Sequence, residues 1–163
     1  MKSLLYSSLI LGLILVISCS NPPEYPDEPT LEFVSMSRTV LNQANIISNN
    51  DSLLLTLAFT DGDGDIGAED GDTSEIRYID LRQNFEQTPL KIPFVGLQGV
   101  GQGISGEIFA ILPTTTCLFD DGRFPGTSAP GETNEVIYEM WIVDRAGNES
   151  NRIELPPITL RCE

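Results

Sequence analysis

Leu53-Leu54-Leu55-Thr56-Leu57-Ala58-Phe59-Thr60 is the stretch that decides the fold. In an extended chain successive side chains point to opposite faces. Leu53, Leu55, Leu57 and Phe59 then share one side, and Leu54, Thr56, Ala58 and Thr60 share the other. That alternation predicts a strand with one face in a core. Asn49-Asn50-Asp51-Ser52 before it reads as a turn. Asp61-Gly62-Asp63-Gly64-Asp65-Ile66-Gly67 follows it, and three carboxylates at alternate positions on a glycine-rich loop can wrap a hard cation.

The chain on either side repeats this grammar of short strands and turn clusters. Leu31 and Phe33 alternate with Glu32 and Val34, and Val40-Leu41 continues or kinks the same edge. Ile76 to Arg82 reads as a strand with Ile79 and Leu81 inward. Leu90 to Val95 is a short strand broken by Pro93, and residues 96–103 form a glycine loop. Ile104 to Leu112 is the next strand, before a long loop from Pro113 to Thr133. Glu135 to Asp144 is the most apolar, with Val136, Tyr138, Met140 and Ile142 on one face and Ile137, Trp141 and Val143 on the other. Such a strand belongs at the centre, covered on both sides. Arg152 to Leu160 is cut by Pro156-Pro157, which suits an edge strand. No segment carries a helical period. About seven short strands predict an all-β sandwich.

The strand ending in Asp61-Gly62-Asp63-Gly64-Asp65-Ile66-Gly67, together with Trp141-Ile142-Val143-Asp144-Arg145-Ala146-Gly147-Asn148, resembles the immunoglobulin-like domains of uncharacterised lipoproteins of Bacteroidota-type bacteria. The likeness covers most of residues 31–163. It implies an immunoglobulin-like β-sandwich and no assigned activity. In that strand order Leu53–Thr60 is strand B and Glu135–Asp144 is strand F, so both end at one pole. Asp61, Asp63, Asp65 and Asp144 are then expected to form one composite metal site. Asn148, Glu69, Asp70 and Asp72 stand behind them as further candidate ligands. An all-oxygen ligand set points to Ca²⁺ as the cofactor. The loop departs from an EF-hand, which needs Gly at position six and Glu at position twelve; counted from Asp61, those positions hold Ile66 and Asp72.

The N-terminus supplies an address. Lys2 precedes an apolar run from Leu4 to Ile17, which is too short to span a bilayer and suits the core of a signal peptide. It ends at Val16-Ile17-Ser18-Cys19, which resembles the bacterial lipobox. This implies that residues 1–18 are removed and that Cys19 carries the lipid. Ser20 after the cysteine, in place of Asp, implies an outer-membrane lipoprotein facing the periplasm or the cell surface. Residues 19–30 form a tether whose four prolines favour a polyproline II spacer of roughly 3 Å per residue.

Composition narrows the function. The 163 residues carry 24 acidic against 9 basic side chains, a net charge of −15. Such a surface repels nucleic acid. The chain has no histidine, which removes Ser-His-Asp and Cys-His catalysis and His-based zinc sites. Cys117 and Cys162 remain once Cys19 is assigned, and an exported chain can join them as a disulfide. Gly101-Gln102-Gly103-Ile104-Ser105-Gly106 fits a dinucleotide pattern, but it leads into a strand and not a helix. Phe119, Arg123 and Phe124 in the long loop are the candidates for contact with an unknown protein or glycan partner. The expected function is a lipid-anchored cell-envelope binding or structural module without catalysis. The alternatives are an accessory subunit of an outer-membrane uptake or secretion complex and, further off, a carboxylate-dependent glycoside hydrolase.

Overall fold

A computed structural model describes residues 24–44, 51–68, 74–94 and 103–162. The expected signal peptide, Cys19, the start of the tether, Glu69, Asp70, Asp72 and the glycine loop through Gln102 lie outside the described residues. The strands are β1 (Thr30–Met36), β2 (Val40–Asn42), β3 (Ser52–Asp61), β4 (Glu75–Asp80), β5 (Phe85–Glu86), β6 (Leu90–Lys91), β7 (Ile104–Pro113), β8 (Glu132–Val136), β9 (Tyr138–Val143), β10 (Ile153–Glu154) and β11 (Ile158–Cys162). No helix occurs among the described residues. The fold is all-β, with largely antiparallel sheets in a sandwich-like arrangement.

The strands form three sheets, of order β1-β3-β7, β10-β9-β4-β5 (with β6 also paired to β4) and β2-β11-β8. β3 forms the spine. It pairs with β1 on one side and, from Ser52↔Pro113 to Asp61↔Ile104, with β7 on the other. Leu53, Leu55, Leu57 and Phe59 are all buried, as the alternation predicts, while Leu54 on the other face is 45% exposed. They meet Ile76 of β4, Met140 and Ile142 of β9 and Leu160 of β11 in one core. Burying each such side chain stabilises the fold by roughly 1.5–3 kcal/mol.

Three readings change. β4 has the opposite phase to that expected: Ile76, Tyr78 and Asp80 point inward, Ile79 is half-buried and Leu81 is 39% exposed. The Tyr78 ring sets this phase by packing edge-on against Tyr138, with centroids 5.4 Å apart. Asp80 tolerates burial because Arg82 pairs with it. Secondly, the single strand expected over Glu135–Asp144 is two, β8 and β9, divided at Ile137. Val136 pairs with Ile158, and Tyr138 accepts the N–H of Leu155 at 2.9 Å. Ile137 therefore lies opposite Pro156-Pro157, which have no N–H for a ladder. Thirdly, the same prolines split the last strand. β10 is at a sheet edge, but β11 is central, with β8 antiparallel on one side and β2 parallel on the other.

Candidate metal centre

β3 and β9 run the same way, and the turns that follow them meet at one end of the sandwich. Carboxylate oxygens from Asp61, Asp63, Asp65 and Asp144 all lie within 4.8 Å of one another. Asp61 and Asp144 are fully buried, and Asp63 and Asp65 are half-buried at the mouth. Positive φ at Gly64 (73°) and Gly67 (88°) lets the loop curl back on itself.

All of these oxygens but Asp63 Oδ2 divide into two kinds. One kind is fixed by the protein. Asp61 Oδ2 accepts the N–H of Asp65 at 2.7 Å, and Asp65 Oδ2 accepts the N–H of Ala146 at 2.9 Å. The two oxygens of Asp144 accept the backbone N–H and the side-chain Nδ2 of Asn148, each at 2.7 Å. The other kind is buried and accepts nothing: Oδ1 of Asp61, Asp63 and Asp65. Buried polar atoms are normally satisfied, and each exception asks for an explanation. Among the described residues no Lys or Arg forms an ion pair with any of the four carboxylates.

The electrostatics follow. Burial pushes the Asp61 carboxyl up to about 6, and the charges of Asp63, Asp65 and Asp144 push it the same way against the Asp65 N–H. Asp65 is raised by burial first, then by Asp144 and Asp63. A cation among the four removes both penalties. Three free oxygens and the lone pairs left on Asp144 form a hard, all-oxygen donor set, the kind that Ca²⁺ takes.

Asn148 presents its amide nitrogen to Asp144 and so orients that carboxylate. Sequence reasoning did not find Arg145, whose Nη1 donates to the Gly67 carbonyl at 2.9 Å and closes the loop from the far side. Nor did it find the contact of Tyr25 and Pro26 with the loop. A Cβ at Gly62 would collide with the carbonyls of Tyr25 and Pro26, and one at Gly103 would lie 2.7 Å from the Tyr25 ring. Tyr25 and Pro26 therefore lie directly on the aspartate loop. The glycines at 62 and 103 carried that signal, but a glycine in a loop has many other causes.

At the other end of the strands Cys117 and Cys162 are joined, with Cα atoms 5.9 Å apart. Arg82, Asn134 and Gln43 stitch the same long loop to the sandwich, through Thr116, Leu118 and Cys117. Arg123 lies over the Phe119 ring at 4.2 Å and pairs with Asp121 and Glu132. No family model, curated protein or solved structure matches the chain.

Proposed function

We propose that the chain is a lipid-anchored module of the bacterial cell envelope, a binding or structural domain without catalysis, whose anchored end is stiffened by one Ca²⁺ ion. The observation that carries the cation is the set of three buried Oδ1 atoms, on Asp61, Asp63 and Asp65, that accept no hydrogen bond. Free carboxylates this close repel one another and raise their own pKa values, and a divalent cation turns that repulsion into attraction. A catalytic pair is the weaker account. Glycosidases keep two carboxylates apart on either side of a bond, whereas four converge here on one point.

The immunoglobulin-like type belongs to this reading. It is supported by the first strand region, which pairs as β1 with β3 in one sheet and then crosses as β2 to run parallel with β11 in another. The lipid anchor and the outer-membrane address rest on the lipobox-like Val16-Ile17-Ser18-Cys19. The contact of Tyr25 and Pro26 with Gly62 supports a role for the cation there. A metal that orders the aspartate loop also orders the surface on which the tether lies, and so sets how the domain stands on the membrane.

Calorimetric titration of the purified, EDTA-treated protein with calcium tests the site. The expected result is a saturating heat at one ion per chain that is absent in Asp63→Ala. The absence of any heat in the wild-type protein would refute it. Export and lipidation are read separately, by mass spectrometry of the mature N-terminus with and without Cys19→Ala.

A further inference from the structure

β7 lies at a sheet edge, and among the described residues it pairs only with β3. Thr114 donates its N–H to the Asp51 carbonyl at 2.9 Å, one step beyond the pair Ser52↔Pro113. Bonded and non-bonded pairs alternate along an antiparallel ladder. Leu112, Ala110 and Ile108 therefore bond to β3, while Ile111, Phe109, Glu107 and Ser105 turn their N–H and C=O groups outward. We infer that this edge pairs antiparallel with β7 of a second copy of the chain, across a two-fold axis at Phe109, and so joins two β1-β3-β7 sheets into one.

Sheet edges are normally blunted by bulges, lysines, prolines or short length. β1, the other edge of the same sheet, follows this rule, with a register shift between Phe33 and Ser35. β7 does not. It runs for ten residues against β3 without a shift. It carries one charge, Glu107, and one proline, Pro113, at its last position. A row of outward N–H and C=O groups is satisfied in full by another extended strand.

Charge favours a second copy and fixes the register. Ile108-Phe109-Ala110-Ile111-Leu112 carries no charge and meets its own copy without a mismatch. With the axis at Phe109, that residue faces Phe109 of the second copy, and Glu107 faces Ile111. The two Glu107 carboxylates then stand four positions apart, about 13 Å along the strand. That exceeds the Debye length of about 8 Å at physiological ionic strength. An axis at Glu107 would instead set the two carboxylates directly opposite each other, a destabilising pair. The net charge of −15 therefore resides away from the seam and opposes pairing only at long range.

Side chains complete the interface. Phe109 is 63% exposed and Ile111 67%, and Leu54, directly opposite Ile111, is 45% exposed. These three lie on the outer face of the sheet and make an apolar strip beside the free edge. The two-fold axis brings two such strips together. The paired edges and strips bury on the order of 1,000 Å² in total, the low end for specific association. That area fits a reversible dimer with a dissociation constant on the order of 100 µM, and not an obligate one. The pairing depends neither on the lipid anchor nor on the cation.

Sedimentation equilibrium of the purified protein, from about 5 to about 500 µM, tests the pairing. We expect a monomer–dimer equilibrium that tightens as salt screens the net charge. Ile111→Pro removes one outward N–H and no bond to β3, and Phe109→Lys sets a charge on the axis. Each should weaken dimerisation about tenfold or more, with circular dichroism melts showing that the fold stands. Phe109→Cys should give a disulfide-linked dimer on oxidation, since facing residues of a bonded pair lie within disulfide reach, and Glu107→Cys should not. The pairing is overturned if the protein stays monomeric throughout, if dimers survive both substitutions, or if Glu107→Cys cross-links and Phe109→Cys does not. A monomer throughout would leave the edge to a strand from another protein. Asp63→Ala should dimerise as wild type does. Loss of calcium heat with dimerisation intact therefore defeats only the cation reading, and the converse result defeats only this one.

Discussion

Ala146 donates its backbone N–H to Oδ2 of Asp65 across 2.9 Å, joining two turns 81 positions apart in the chain. That bond locks one oxygen of Asp65 and leaves Oδ1 buried and unpartnered beside Asp61, Asp63 and Asp144. Two loops from different strands thus share one electrostatic problem.

Without metal, stability should fall as pH rises through the acid range. The folded-state pKa of Asp61 is raised from 3.8 to about 6. The folded state therefore holds its proton more tightly than the unfolded chain, and this contribution is complete below pH 3.8 and lost as pH passes about 6. Asp65 shifts in the same direction. In EDTA, the melting temperature of Asp61→Asn should vary less between pH 4.5 and pH 6.5 than that of wild type, as read by circular dichroism. Equal slopes for the two proteins would contradict the assignment.

Gly62 should tolerate no side chain. A Cβ there meets the carbonyls of Tyr25 and Pro26, both backbone atoms that cannot swing aside. Gly62→Ala should release Tyr25 and Pro26 from the loop while leaving the β3 core intact. Limited proteolysis should then cut near Tyr25 faster than in wild type, with a loss of stability of about 1–3 kcal/mol.

Much of this could be read from the chain itself. The leucines of β3 reported their own burial because a period of two needs no tertiary information. The four aspartates could be grouped because the likeness put two strand ends at one pole. Asp80 could not be read, since nothing local says that Arg82 will fold back to neutralise an inward carboxylate. The division at Ile137 was equally hidden. It is set by Pro156 and Pro157, which lie between β10 and β11, and pairing partners are not written in the residues they break. The contact of Tyr25 and Pro26 with Gly62 was hidden as well, since only the folded chain brings them together.

The Asp80–Arg82 pair should show strong coupling. Asp80 is 2% exposed and Arg82 is its only ion-pair partner among the described residues. Arg82→Met leaves a buried, unpaired charge and should cost about 3–5 kcal/mol, whereas Asp80→Asn combined with Arg82→Met should cost less than the two single changes together. Denaturant melts of the four proteins give this coupling energy, and additive costs would show that the pair does not act as a unit.

The disulfide should matter for stability and for the long loop. It spans a separation of 45 residues, and closing a loop of that size contributes about 4 kcal/mol in the chain-entropy description. Cys117→Ser with Cys162→Ser should lower the melting temperature by on the order of 10 °C. Unchanged melting would show that the bonds of Gln43, Arg82 and Asn134 hold the loop by themselves.

The most direct measurement of the central claim is thermal melting of the protein in EDTA and in millimolar calcium. A ligand that binds only the folded state adds about 2.7 kcal/mol at one hundred times its dissociation constant. The melting temperature should rise by several degrees with calcium, and the rise should be abolished in Asp63→Ala, whose Oδ1 is buried without a hydrogen-bond partner among the described residues. An identical melting temperature in EDTA and in calcium would contradict it, and would leave the buried oxygens of Asp61, Asp63 and Asp65 to some other partner.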